Sequence, residues 1–175
     1  MLDAAAPLLR GQAQRALRAA DLHVTLCFLG AVDEPRVMRL RERAGAIRAE
    51  AFELRFDAFE FWPRSRVLAA RCADVPTAAN ELARALAELA LELGLQPDRQ
   101  ALRPHVTLLR GVAPEDLPYS GECPLALHLP FSARHFDLAY SFAPASSIGA
   151  AQPACRYDRL ASWPLPSRGE SAAGC

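Results

Sequence analysis

The chain has 175 residues and a mass of 19.0 kDa, with 51% hydrophobic and 23% charged residues. This composition predicts one folded domain with a substantial core, and it excludes a disordered tail or a disulfide-stapled miniprotein. The formal net charge is zero, so a bound polyanion would have to be held by a local cluster of cations.

Five scattered cysteines without a C-x-x-C pair argue against a disulfide framework or a structural zinc site, and favour a reducing cytoplasm. No apolar run reaches the roughly 20 residues that cross a membrane, and a signal-peptide pattern is absent.

Three helices are predicted in chain order. The first is short and spans about residues 7–18. The second begins at a cap on Asp33 with Pro35 in its first turn, and apolar residues follow at helical spacing: Val37, Leu40, Ala44 and Ile47. The third begins at a cap on Thr77, ends at Gly94 in the left-handed terminating position, and carries one leucine stripe: Leu82, Leu86, Leu89 and Leu93.

Strand-like segments lie between these helices and after them. Apolar and polar residues alternate over residues 52–57 and again over residues 135–142, and residues 66–71 form a third apolar segment. Because strands and helices interleave, the sequence predicts an α+β domain with a mainly antiparallel sheet. Residues 166–175 are rich in Pro, Ser, Gly and Ala and are predicted to be disordered.

The tetrapeptide His-Val-Thr-Leu occurs twice, at residues 23–26 and 105–108. The repeat uses two of only four histidines, so coincidence is a poor explanation for it. If both copies are strands, residues i and i+2 share a face, and each histidine projects together with its threonine. A pseudo-two-fold relation between two lobes would then bring His23, Thr25, His105 and Thr107 around one cleft.

Two histidines on either side of a reacting centre suit phosphoryl transfer without a metal. One imidazole accepts a proton from the attacking oxygen while the other donates one to the leaving oxygen, and imidazole titrates close to neutral pH. Threonine hydroxyls and an arginine can hold the phosphate oxygens. Asp21 and His23 could supply two metal ligands, but no further ligand follows at a useful spacing, so no metal site is predicted.

Phe28 and Arg110 occupy equivalent positions, five residues after each histidine. A phenyl face can stack on a base or ribose, and a guanidinium can bind phosphate. Strict alternation places both side chains on the face opposite the histidines. Either the strand bulges or ends there, or the two residues serve the core and the surface instead.

The segments LHVTLCFLG and PHVTLLR resemble the paired H-x-T-x motifs of the two-histidine (2H) phosphoesterase superfamily, and within it the bacterial RNA 2′,3′-cyclic phosphodiesterases, also called 2′-5′ RNA ligases. The resemblance extends through FWPRSRVL at residues 61–68 to the C-terminal segment at residues 156–165. It implies a bilobal, pseudo-two-fold α+β fold, with helices packed outside and a central cleft between lobes that carry one motif each. The family opens with an apolar strand that this sequence lacks, which predicts an unpaired sheet edge.

The resemblance also implies the role of each site residue. His23 would be the proton donor and His105 the proton acceptor, while Thr25, Thr107 and Arg110 would bind the phosphate. Residues that could contact a base or ribose are Phe28, Trp62 and Arg66.

The function implied is hydrolysis of RNA 2′,3′-cyclic phosphate ends to a 2′-phosphate, with 2′-5′ ligation as the reverse reaction. Two alternatives stay open: hydrolysis of small cyclic nucleotides, and binding of RNA ends without turnover. We expect a monomeric, cytoplasmic RNA-processing hydrolase that uses no cofactor and does not act at a membrane.

Overall fold

The structure is a computed structural model that describes residues 16–98, 100–117, 122–142 and 156–167, without the side chains of residues 122–128. Two α-helices and six strands lie in these residues. In chain order they are α1 (Glu34–Ala44), β1 (Phe52–Trp62), β2 (Val67–Arg71), α2 (Thr77–Glu92), β3 (His105–Arg110), β4 (Glu122–Ala133), β5 (His135–Ser141) and β6 (Tyr157–Pro164).

The strands form two antiparallel sheets, which confirms the predicted α+β class. The larger sheet has the order β3-β2-β1-β4, and the smaller sheet pairs β5 with β6. The outer edge of β3 is partly covered, because Ala16 bridges to Leu109 and the Leu17 amide donates to the Leu108 carbonyl at 2.8 Å. The predicted helix over residues 7–18 lies largely outside the described residues; at Arg18 the backbone is extended, not helical.

Two hydrophobic clusters hold these layers together. The first lies against one face of the large sheet and centres on Phe56, Leu68 and Leu108, which are fully buried. The second joins α1 and α2 to the small sheet through Leu40, Leu82 and Phe136. At roughly 25 cal/mol per Å² of buried apolar surface, such clusters provide most of the favourable free energy of folding.

The helix ends partly follow the sequence signals. The Asp33 side chain accepts a hydrogen bond from the Arg36 amide at 3.0 Å, as predicted for a cap. The prediction of a Thr77 cap is wrong: Pro76 is the last extended residue, its carbonyl accepts the first helical hydrogen bonds, and Thr77 is already helical. Gly94 adopts φ +73°, so the predicted left-handed terminus is confirmed.

The helices also contact each other through arginines of α1. The Arg36 Nε donates to the Leu93 carbonyl at 3.0 Å, and Arg43 forms an ion pair with Glu92 at the end of α2. No helix in the described ranges is both long enough and apolar enough to cross a membrane.

Pro166, the first residue of the segment 166–175 that was predicted to be disordered, has a backbone contact with the residue before β1. The Pro166 carbonyl accepts a hydrogen bond from the Ala51 amide at 2.9 Å, and the preceding Leu165 is buried in the second cluster. This contact fixes the end of β6 beside the start of β1. Residues 168–175 lie outside the described residues, and so do residues 1–15, where the family's opening strand was predicted to be missing.

Candidate active site

The second motif lies on β3, where a β-bulge determines which side chains share a face. His105 pairs with Arg71 and Thr107 with Ala69, but the next pair is Leu109 with Leu68, so Leu108 is an extra residue. The side-chain alternation therefore shifts by one at Leu108. As a result, both Leu108 and Leu109 point into the first cluster.

The bulge brings Arg110 onto the face of His105 and Thr107. Arg110 pairs with Val67, which has the same parity on β2 as the partners of His105 and Thr107. Directly opposite residues of an antiparallel pair lie on one face of the sheet. The sequence left open whether the strand is irregular near Arg110 or keeps its regular alternation. The structure shows a bulge.

The same register extends this face to β1. Arg71, Ala69 and Val67 pair with Ala58, Glu60 and Trp62 of β1. We call the side of the large sheet that carries His105, Thr107, Arg110, Glu60, Arg71 and Trp62 the motif face. Ala69, at its centre, is fully buried beneath these larger side chains.

The imidazole of His105 has two fixed contacts. Its Nδ1 lies 2.8 Å from the Arg103 carbonyl oxygen. The indole of Trp62 meets the ring edge-to-face, with centroids 4.6 Å apart. These contacts hold the ring at the surface of the motif face, where it is half-buried.

The first motif is not part of a hydrogen-bonded strand, which corrects the prediction that both copies are strands. Residues 22–29 form no ladder in the described part of the chain. The side chains nevertheless alternate: Leu22 and Val24 pack against the first cluster, while Thr25 is exposed. Because Val106 and Leu108 belong to the same cluster, both motifs rest on one core by their apolar residues.

His23 is held by a hydrogen bond and an aromatic contact that the sequence did not predict. Its Nδ1 lies 2.8 Å from the Asp21 carbonyl oxygen, and its ring packs on Tyr157 with centroids 4.2 Å apart. The buried carboxylate of Asp21 accepts from the Arg156 amide at 2.6 Å and pairs with the Arg18 Nε at 3.1 Å. Asp21 therefore joins the first motif to the start of β6, which carries Tyr157.

The two histidines thus have matching surroundings. In each, Nδ1 contacts the backbone carbonyl of the residue two positions earlier, and an aromatic ring packs against the imidazole. A carbonyl oxygen can only accept, so Nδ1 carries a hydrogen and donates it. The remaining nitrogen, Nε2, is then the atom that can release or take up a proton in both rings.

The other residues implied to bind phosphate differ in exposure. Thr107 is only 8% exposed, whereas Thr25 is exposed. The Arg110 Nε is buried, and no described residue provides it with a hydrogen-bond partner. No described carboxylate forms an ion pair with this guanidinium, which leaves a cation on the motif face able to receive an anion.

The three residues predicted to contact a base or ribose have different surroundings. Phe28 is 66% exposed and is available for stacking. Trp62 lies against His105, and its buried Nε1 has no hydrogen-bond partner among the described residues. Arg66 has φ +54°, and its guanidinium donates to the carbonyls of Gly111 and Val112 at 3.3 and 3.2 Å, so it fastens the end of β3.

Other groups in the described residues offer little alternative chemistry. No group of three or more His, Cys, Asp or Glu in those residues could hold a metal ion. Burial raises the pKa of the Cys27 thiol, and the charge of Asp98 adds to the effect. A neutral thiol is a weak nucleophile, so Cys27 offers little nucleophilic chemistry beside the first motif.

Comparison with known proteins agrees with these motifs. Residues 5–140 match the model of the 2′-5′ RNA ligase superfamily. The RNA 2′,3′-cyclic phosphodiesterase of Escherichia coli (strain K12) is 36% identical over 99 residues, or 57% of this chain and 56% of that protein. The protein of the same name from Aeropyrum pernix is 31% identical over 111 residues, or 62% of this chain and 63% of that protein.

The sequence alignments therefore span somewhat less than two thirds of each of these relatives. The structural match is longer. The crystal structure of E. coli LigT complexed with 3′-AMP superposes with a TM-score of 0.72 at 27% identity, and the match covers 94% of this chain and 92% of that chain.

Proposed function

The chain belongs to the 2′-5′ RNA ligase superfamily, and on that premise we propose that it hydrolyses the 2′,3′-cyclic phosphate at the end of an RNA to a 2′-phosphate. The observation that carries the proposal is the matched pair of histidines, each with Nδ1 on a backbone carbonyl. This arrangement leaves two equivalent Nε2 atoms for proton transfer. Two such atoms are what an in-line displacement at phosphorus requires, one for each apical oxygen.

In the proposed reaction His105 is the base and His23 the acid. The neutral His105 Nε2 takes a proton from water, and the water oxygen forms a bond to phosphorus. The bond from phosphorus to the ribose O3′ breaks, and the protonated His23 Nε2 gives its proton to O3′. One water is consumed, and the phosphate stays on O2′. Each proton transfer contributes typically about 10²–10⁴-fold to the rate.

The motif face supplies groups for the charge on the phosphate. Arg110 brings a positive charge without a carboxylate partner in the described residues, and Thr107 brings a hydroxyl beside it in the register. Thr25, two residues after His23, is proposed to serve the opposite side of the same phosphate. Donors in fixed positions stabilise charge that develops in the transition state without reorganising during the reaction.

The two motifs are proposed to face each other across one cleft between two lobes. Their common contact with the first hydrophobic cluster supports this arrangement. With the roles of the histidines exchanged, the same site would join a cyclic phosphate end to a 5′-hydroxyl, which is 2′-5′ ligation.

The first experiment compares the wild-type protein with His23→Ala and His105→Ala on a cyclic-ended oligonucleotide and on 2′,3′-cyclic AMP, in EDTA. We expect the wild type to release a 2′-phosphate, and each variant to lose roughly 10²–10⁴-fold in kcat. The pH profile of kcat/KM should be bell-shaped for the wild type, because one group must be protonated and the other neutral.

The control variant is His135→Ala, which removes a histidine outside both motifs. It should retain activity, because His135 is exposed on β5 and lies 3.8 Å from Asp137. Cleavage of the mononucleotide alone would indicate a small-nucleotide phosphodiesterase, and binding without cleavage would indicate an RNA-end-binding protein. Full activity in both histidine variants would overturn the proposed mechanism.

A further inference from the structure

Trp62 is the last residue of β1, and its indole reaches diagonally across the motif face to His105. On β2, the residues opposite Trp62 and His105 are Val67 and Arg71, and Ala69 lies midway between these two. Ala69 is fully buried and carries only a methyl group, so it leaves room for two rings above it. The ring centroids are 4.6 Å apart, and the ring planes are inclined by 72°.

The backbone that carries Trp62 belongs to a tight hairpin. Residues 63–66 form the turn between β1 and β2, and the Arg66 amide donates to the Pro63 carbonyl at 3.3 Å. The Ser65 hydroxyl donates to the Trp62 carbonyl at 3.4 Å, and Trp62 pairs with Val67 across the turn. The indole is therefore attached to a hydrogen-bonded element, which is the kind of support that orients a catalytic ring.

The imidazole of His105 needs more than one contact to keep a single orientation. The torsion about the Cβ–Cγ bond of histidine has broad, roughly two-fold preferences, so the side chain itself does little to direct Nε2. A single hydrogen bond favours one orientation by at most about tenfold. In the described residues, the ring has one such bond, from Nδ1 to the Arg103 carbonyl. An edge-to-face aromatic contact adds a factor of similar size, so the indole is the second restraint.

The same indole is less suited to contact a base. Part of the ring is used by the contact with His105, and the polar atom Nε1 is buried, without a hydrogen-bond partner in the described part of the chain. A ring that stacks on a base must present a free face. Phe28, which is 66% exposed, meets this condition better.

We propose that Trp62 is a positioning residue that acts through His105, rather than a residue that contacts the base or ribose. The indole keeps the imidazole from turning, so that Nε2 stays directed at the attacking water. This inference rests on the proposed function, because it takes His105 as the base. Removal of the indole then lowers kcat, whereas loss of a stacking surface would raise KM.

Steady-state kinetics on 2′,3′-cyclic AMP test this role. In Trp62→Leu we expect kcat to fall about 10- to 100-fold while KM stays within about threefold of the wild type, because a misplaced catalytic group can cost about 100-fold in rate. Trp62→Phe keeps an aromatic ring and should retain most of kcat. The matched control is Trp163→Phe, on the ring that stacks on Phe136 in the second cluster, and it should leave both constants unchanged.

Fluorescence gives a measurement that does not depend on turnover. The chain has two tryptophans, so Trp163→Phe leaves Trp62 as the only indole. A protonated imidazole in contact with an indole quenches its emission. We expect the emission of Trp163→Phe to rise as the pH increases from about 5 to 8, where imidazole loses its proton. The additional replacement His105→Ala should abolish this rise.

The outcomes separate this inference from the proposed function. An active wild type whose Trp62→Leu variant has an unchanged kcat, or a raised KM alone, would overturn the positioning role. Emission from folded Trp163→Phe that does not change with pH would overturn the contact on which the role depends. A wild-type protein that cleaves neither 2′,3′-cyclic AMP nor a cyclic-ended oligonucleotide would instead contradict the proposed function itself.

Discussion

Asp21 is the residue through which the position of His23 is coupled to β6. Its backbone oxygen contacts the His23 ring, while its side chain accepts from the Arg156 amide. Asp21→Ala would leave that amide without its acceptor and release Tyr157 from the imidazole. Because a small misplacement of a catalytic group can cost about 100-fold in rate, we expect kcat to fall by roughly 10–100-fold.

A steady-state comparison separates positioning from stability. Asp21→Asn keeps an oxygen that can accept from Arg156 but removes the charge paired with Arg18, so it should restore most of kcat. KM for a cyclic mononucleotide should change much less than kcat in Asp21→Ala. A lower melting temperature with an unchanged kcat would show that Asp21 acts on the fold alone.

At the scale of residues, the sequence made the motif residues visible but not the residues that hold the two histidines in place. The histidines and threonines were identifiable because a repeated word of uncommon residues is visible without a structure. Asp21 and Tyr157 were not, since the hydrogen bond that gives Asp21 its role spans 135 positions along the chain. Glu60 and Arg103 likewise meet only because β1 and β3, which Arg103 precedes by two residues, belong to the same sheet.

At the scale of elements, one bulge decides the composition of the motif face. Without the extra residue at Leu108, Arg110 would point away from His105 and Thr107. Sequence alternation defines two faces but does not reveal where a strand carries an unpaired residue. The sequence therefore left the position of Arg110 open, and only the pairing of β3 with β2 determines it.

The end of α2 allows a direct test of a backbone requirement. Gly94 has φ +73°, and a Cβ there would come no closer than 3.9 Å to Arg36. A side chain at residue 94 therefore causes no steric clash, but it must adopt the unfavourable left-handed conformation. Gly94→Ala should lower the free energy of unfolding by about 1 kcal/mol. Urea denaturation measures this change, and Gly94→Asn should be less destabilised because Asn tolerates the left-handed region. Equal stability of all three proteins would contradict the assignment.

At the scale of the whole molecule, the sequence predicted the α+β class and most elements of the two sheets. Local alternation was sufficient to predict that β1 and β5 are strands, but on β5 it overstates the buried face: Phe136 is buried, whereas Tyr140 is 57% exposed. It failed for the first motif, because a strand requires a hydrogen-bonding partner that local sequence does not provide. Residues 22–25 keep the side-chain alternation of a strand without its ladder.

The first hydrophobic cluster contains a thiol whose ionisation opposes folding. Cys72 is 3% exposed, and its Sγ donates to the Asp74 carbonyl at 3.3 Å. Burial raises the pKa of this thiol; the Arg55 backbone opposes the shift, Asp57 and Asp74 add to it, and Arg71 opposes it. The folded protein therefore keeps the proton at pH values where the unfolded chain has released it.

This difference predicts a decrease of stability in alkali. Above the unfolded thiol pKa of about 8.5, the folded state binds more protons than the unfolded state, so the free energy of unfolding falls as pH rises. We expect the stability advantage of the wild type over Cys72→Ala to be constant below about pH 8 and to shrink between about pH 8.5 and the higher folded pKa. Urea denaturation of both proteins across this range measures it. A constant difference up to about pH 10 would show that the thiol ionises equally in both states, which its burial in the core does not permit.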